Sequence, residues 1–319
     1  MNPIFQTISN IGVVPVMKVP PEKAVDLSRA LLSGGIPLAE ITFRAEGASS
    51  SIAAVRKNIP DMLVGAGTVL TIEQADQALN AGAQFIVTPG FGPKVVEHCL
   101  KSGMPIMPGC SCATDIEMAL SFGLDTVKFF PAEQSGGLAK IKALCGPYAN
   151  IRFVPTGGIN LANLSDYLSY DRVLACGGTF MAKDSYIQNE EWDEITKLCK
   201  TVVNTVLDFS LGHVGINAPE PNDFSYIAER LGSIMRMPLN KGESAIFVGE
   251  SVEVMKTPTN GSYGHIAINT SSVSRARYYM EREGHVFLEE SAVYDAQGRL
   301  KLIYLKEELA GFAVHLRQR

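Results

Sequence analysis

From residue 11 to about residue 180 the chain alternates short apolar runs with longer stretches whose apolar positions recur every three or four residues. The runs are GVVPVM, LAEITF, MLVGAGTVL, QFIVTPG, MPIMPGC, DTVKFF, IRFVPTGG and DRVLACGG. Each is short and bounded by turn residues, which predicts a buried strand. The stretches between them, such as PEKAVDLSRALLSGG and TIEQADQALNAGA, carry amphipathic spacing and close at glycine, which predicts helices. Strands alternating with helices make parallel strands joined by helical crossovers. Eight such units in about 200 residues fit a closed (β/α)8 TIM barrel better than an open doubly wound sheet.

A helix over about 190–208 closes this part. Beyond LDFSLG cysteine disappears, tyrosine and charge become denser, and the parallel rhythm stops. The tail repeats itself. GHVGIN begins at Gly212 and GHIAIN at Gly264, while ERLG begins at Glu229 and EREG at Glu281, so both matches share an offset of 52 residues. Two matches in one register predict two copies of a strand–helix–strands module. The expected division is a barrel over 1–208 and a smaller α+β domain over 209–319.

Composition narrows the function classes. The 319 residues are 46 % hydrophobic and 19 % charged, with a formal net charge of -5, which argues against nucleic acid or an anionic membrane as partner. No stretch reaches the roughly 20 apolar residues of a membrane helix. MNPIFQTISN lacks the basic start and apolar run of a secretory leader. Cys99, Cys110, Cys112, Cys145, Cys176 and Cys199 show no paired spacing, so they are expected as free thiols in a reducing cytoplasm.

Lys128 is the residue that the pattern does not explain. It lies inside the apolar strand DTVKFF and points opposite to Val127 and Phe129. One reading is a snorkelling lysine with a buried stem. The other is an amine whose burial favours the uncharged form, able to attack a carbonyl and form a Schiff base. Such an amine needs a proton carrier, and Glu40 in LAEITFR is an acid within another apolar strand. Alternation puts Thr42 and Arg44 on the same face, so Glu40 and Arg44 read either as a structural ion pair or as a proton shuttle beside an anion-binding guanidinium. Two glycine-rich strand ends, TGGI at Thr156, Gly157 and Gly158 and GGTF at Gly177, Gly178 and Thr179, follow the seventh and eighth strands. There such barrels commonly bind phosphate through backbone N–H groups.

In their order, EITFR, GAGTVL, VKFFPAE, PTGGI and the final GG-Thr resemble the 2-keto-3-deoxy-6-phosphogluconate (KDPG) and 4-hydroxy-2-oxoglutarate (KHG) aldolases over roughly residues 5–205. The resemblance implies a class I, metal-free, pyruvate-forming aldolase that works as a homotrimer on 2-keto-3-deoxy acids. It implies Lys128 as the Schiff-base lysine and Glu40 as the general acid/base. Arg44, Thr68 and Pro89 would border the pyruvyl carboxylate and Phe130 the substrate. Thr156, Gly157, Gly158, Gly178 and Thr179 would hold the phosphate. The alternatives are a related aldolase of different aldehyde specificity and a non-catalytic small-molecule-binding protein.

His213, His265, His285 and His315 lie in the tail, where His213 and His265 are equivalent in the two repeats. Glu253 and His315 each lie in a late strand of a module. Imidazole and carboxylate ligands in this number suit divalent Zn, Ni, Fe or Mn. GHIAI, the repeat and these four positions resemble the glyoxalase/extradiol dioxygenase (vicinal oxygen chelate) superfamily over about 211–318. That implies two βαβββ modules around a metal held by His213, Glu253, His265 and His315, although glutamate is commoner at the last position. The alternative is a metal-free cleft serving packing or assembly.

Overall fold

The computed structural model describes residues 2–220 and 222–319, which form two compact units, Met1–Val206 and Leu207–Arg319. The helix expected over 190–208 runs Trp192–Leu207 and stops where Asp208 enters the left-handed region at φ 48°.

The first unit is built on parallel strands β1 (Val13–Met17), β2 (Leu38–Thr42), β3 (Leu63–Gly67), β4 (Phe85–Val87), β5 (Ile106–Met107), β6 (Gly109–Cys110), β7 (Thr126–Phe129), β8 (Arg152–Pro155) and β9 (Cys176–Gly178). They pair in the orders β5-β4-β3-β2-β1-β9 and β6-β7-β8. Single bridges Phe153–Val173 and Thr156–Gly177 link the two sets on the β8 side. β5 and β6 are the halves of one expected strand, interrupted at Pro108, which has no N–H to give a ladder. The eight expected runs are therefore the eight staves of the barrel. Every residue of β1, β2 and β3 is buried, which accounts for their continuous apolar character: helices cover the outside and side chains fill the inside.

The second unit is one eight-stranded sheet in the order β11-β12-β13-β10-β14-β17-β16-β15. Its strands are β10 (Ser210–Asn217), β11 (Leu239–Lys241), β12 (Ala245–Val248), β13 (Val252–Met255), β14 (Gly264–Thr270), β15 (Phe287–Tyr294), β16 (Leu300–Leu309) and β17 (Phe312–Gln318). Helices Phe224–Met235 and Val273–Arg282 follow the first strand of each half. Strands β10 and β14 meet antiparallel at the centre, and each pairs in parallel with the last strand of its own module. The register repeats as the sequence does. Gly215 faces Glu253 and Ala267 faces His315, so Glu253 and His315 occupy equivalent places opposite positions 52 residues apart. Ala228, Ile246, Val248 and Val254 form the buried core of the first module, against Phe224, Ile227 and Leu231 of its helix.

Candidate functional site

Lys128 projects from β7 and Glu40 from β2, with side chains only 7 % and 3 % exposed, and Nζ stands 3.4 Å from Glu40 Oε1. The two strands are not neighbours in the sheet, so the pair meets across the barrel interior. Space for it comes from glycine: a Cβ on Gly67 of β3 would lie 2.7 Å from Glu40 Cγ. The neighbouring buried hydroxyl of Thr42 donates to Met17 O at 2.9 Å and is satisfied within the fold. The Lys128 ammonium or amine also lies 5.4 Å from the centroid of Phe130.

Lys128 opens into a cavity of about 220 Å³ at the C-terminal ends of the strands. Arg44, Thr68 and Pro89, just past β2, β3 and the end of β4, line one part of it, and Phe130 lines it beside Lys128. Thr156, Gly157, Gly158, Gly178 and Thr179 line it from the ends of β8 and β9. All nine residues expected at a substrate site therefore border one cavity. Two further wall residues, Val16 and Ile159, carried no signal in the sequence, because an apolar residue among apolar neighbours looks like packing. Thr68 holds φ 55°, a left-handed conformation that costs a β-branched residue energy.

The turn after β8 is fixed through its carbonyl groups. Thr156 O accepts from Ala132 N–H at 2.8 Å, and Gly157 O accepts from Glu133 N–H at 3.1 Å. Gly158 O accepts from the side-chain amides of Asn160 and Asn163 at 3.2 and 3.1 Å. In a trans peptide the carbonyl and the next N–H point in opposite directions. With these three carbonyls engaged, the N–H groups of Gly157, Gly158 and Ile159 point opposite to them. Gly157 and Gly158 hold φ 100° and 81°, which only glycine adopts freely.

In the second unit, His213, His265 and His315 are buried and bring ligand atoms within 4.8 Å of one another. Glu253 Oε2 lies 3.3 Å from His213 Nε2 and 3.1 Å from His265 Nε2, so all four expected positions converge. Hydrogen bonds from the two imidazoles hold the Glu253 carboxyl down at about 2. Burial, then the charges of His265 and His213, pushes His315 down to about 3. Among the described residues His265 Nδ1 has no hydrogen-bond partner, and the His315 ring finds at most the Leu316 backbone. His213 Nε2 and His265 Nε2 stand 3.0 Å apart beside the Glu253 carboxylate, and together with one nitrogen of His315 these donors fit a divalent cation. Tyr304 stacks on His315 at 4.7 Å, Phe247 packs edge-on to His213 at 5.5 Å, and Arg317 Nη1 is 3.4 Å from His213 Nδ1.

Comparison with known proteins bears on the first unit. Residues 4–198 match the family model for KDPG and KHG aldolases. The chain is 51 % identical over 204 residues to the 2-dehydro-3-deoxy-phosphogluconate aldolase of Treponema pallidum, covering 64 % of this chain and 97 % of that one. It is 39 % identical over 192 residues to the KHG/KDPG aldolase of Escherichia coli K12, covering 60 % and 90 %. Among solved structures, the KDPG aldolase of Legionella pneumophila, with pyruvate captured as a covalent carbinolamine, superposes with a TM-score of 0.60 at 35 % identity, covering 62 % of this chain and 97 % of that one.

Proposed function

The chain belongs to the KDPG and KHG aldolase family over residues 4–198, and from that premise we propose that it cleaves 2-keto-3-deoxy-6-phosphogluconate to pyruvate and glyceraldehyde 3-phosphate and, at the same site, 4-hydroxy-2-oxoglutarate to pyruvate and glyoxylate. The observation that carries this reading is the buried Lys128–Glu40 pair, 3.4 Å apart, opening into the cavity. Nζ of Lys128 attacks the C2 carbonyl as a free amine, and the resulting carbinolamine loses water when Glu40 protonates the departing hydroxyl. Glu40, now a carboxylate, takes the C4 hydroxyl proton as the C3–C4 bond breaks. The bond's electrons flow into the iminium, leaving an enamine and a free aldehyde. Protonation at C3 and hydrolysis return pyruvate and the lysine. This chemistry needs no metal.

In this reading Arg44, which lines the cavity, pairs with the substrate carboxylate, with Thr68 and Pro89 bordering it and Phe130 against the chain. The Thr156–Gly158 turn, with Gly178 and Thr179, is suited to the phosphate. We assign the protein a homotrimeric state and, from its six free thiols, a reducing cytoplasmic location. Among the described residues no helix is long and apolar enough to cross a membrane.

The test is to incubate the protein with pyruvate and borohydride and map the added mass by peptide mass spectrometry. A reduced pyruvyl adduct on Lys128 is expected, and a Lys128→Ala protein that still releases pyruvate at an appreciable rate would sink the assignment.

The second unit supports a separate reading, carried by the convergence of three buried imidazoles beside Glu253. We infer a glyoxalase-like module whose His213, Glu253, His265 and His315 hold a divalent Zn, Ni, Fe or Mn ion, as the ligand types allow. Such an ion would supply Lewis acidity to a bound oxygen ligand. Metal analysis of the purified protein tests it: about one equivalent per chain is expected.

A further inference from the structure

Glu133 closes the motif VKFFPAE, yet the chemistry above gives it no part. It lies five residues past Lys128, on the short helix Glu133–Ser135. Its backbone N–H donates to Gly157 O at 3.1 Å, and its stem lies so close to Gly158 that a Cβ there would stand 2.5 Å from Glu133 Cγ. The Glu133 carboxylate accepts a hydrogen bond from the hydroxyl of Tyr167. Tyr167 is only 2 % exposed and belongs to the helix Leu164–Leu168 that follows the same glycine turn. Gly137, at φ 60°, keeps open the space around this bond, since a Cβ there would lie 3.1 Å from both Glu133 Oε1 and the Tyr167 hydroxyl.

Glu133 is therefore tied at one end to the strand that carries the nucleophile and at the other to the turn suited to the phosphate. Tyr167 fixes the rotamer that lays the Glu133 stem against Gly158, and a buried phenol loses its hydrogen bond to that carboxylate if the carboxylate turns away. The same bond keeps a negative charge from swinging toward an incoming phosphate.

We propose that Glu133 and Tyr167 are a positioning pair that sets the distance between Lys128 and the glycine turn, and so favours a phosphorylated substrate over a short unphosphorylated one. This rests on the aldolase reading of the same cavity. Neither residue touches the reacting atoms.

The test compares Tyr167→Phe and Glu133→Gln with the unaltered chain on 2-keto-3-deoxy-6-phosphogluconate and on 4-hydroxy-2-oxoglutarate, with inorganic phosphate as a competing probe. Tyr167→Phe should raise KM for the phosphorylated substrate, and the inhibition constant of phosphate, by about tenfold, the scale of one lost charge-assisted hydrogen bond. KM for the unphosphorylated substrate, kcat and the trapped pyruvate adduct should stay within about twofold of the unaltered chain. Glu133→Gln keeps an acceptor for Tyr167 without its charge and should fall between the unaltered chain and Tyr167→Phe. Should Tyr167→Phe not fold, Glu133→Met removes the bond from the other side and carries the same expectation. Equal effects on both substrates, or none on either, would overturn the proposal. If the unaltered chain released no pyruvate from either substrate, the aldolase reading itself would have failed, an outcome separate from any difference between variants.

Discussion

Gly67 and Glu40 are packed so closely across β3 and β2 that a single methyl group on Gly67 would lie 2.7 Å from Glu40 Cγ and 2.8 Å from Cδ. The carboxylate that faces Lys128 is thus held by the absence of a side chain on the next strand. Gly67→Ala should push Glu40 off Nζ and reduce kcat by about 100-fold, the usual cost of misplacing a catalytic group by an ångström. Steady-state kinetics with a melting curve checks this; a normal kcat in the folded variant would show that Glu40 has room to spare.

Glu40→Gln keeps the shape and removes the proton carrier. Turnover should fall by about 10²–10⁴, the range for loss of a general acid/base. A melting curve run alongside separates loss of the proton carrier from loss of the fold, since neutralising one member of a buried pair can leave the other charge uncompensated. A variant within twofold of normal turnover would move the proton chemistry elsewhere.

In the second unit Gly215 stands to His265 as Gly67 stands to Glu40: a Cβ there would be 2.5 Å from His265 Nε2. Gly215→Ala should abolish metal retention, measured by elemental analysis, and leave the aldolase rate within about twofold, because the two sites lie in separate units. Full metal content in this variant would remove His265 from the ligand set.

Acid should destabilise the chelator-treated second unit. The His315 pKa is lowered from 6.5 to about 3, so below 6.5 the unfolded chain takes up a proton that the folded one refuses. Stability is therefore complete above pH 6.5 and falls as the pH drops from 6.5 toward 3. Glu253, lowered from 4.5 to about 2, adds a loss in the same direction below pH 4.5. In chelator, the melting transition of this unit should come lower at pH 5 than at pH 7.5, and a flat profile would place His315 outside the buried cluster.

A chain ending at Leu207 should fold and release pyruvate at near the full rate. The match to the Treponema pallidum aldolase already covers 97 % of that protein with 204 residues, and the barrel cavity is lined wholly by residues up to Thr179. Failure of the truncated chain to form the Lys128 adduct would assign the second unit a role in the barrel's folding.

What could be read from sequence followed from local periodicity. Eight apolar runs at βα spacing specify a barrel because each strand, covered on both sides, must be apolar throughout, and a lysine or glutamate among them then stands out. The 52-residue repeat likewise foretold the module equivalence that the register of Gly215 with Glu253 and Ala267 with His315 displays. Positions that carry an unusual residue, such as Lys128, Glu40 or the paired glycines, stood out for that reason.

Tertiary structure alone decided which distant residues meet and at what distance. Glu40 and Lys128 lie 88 positions apart, and only barrel closure brings Oε1 to 3.4 Å from Nζ. Val16 and Ile159 were invisible because an apolar wall residue has the same local pattern as core. Glu133 and Tyr167 were invisible because their significance is a single hydrogen bond between two short helices, the residues standing 34 positions apart. Periodicity reports the face on which a side chain sits; its partner on that face is set by packing across the chain, and no local pattern records it.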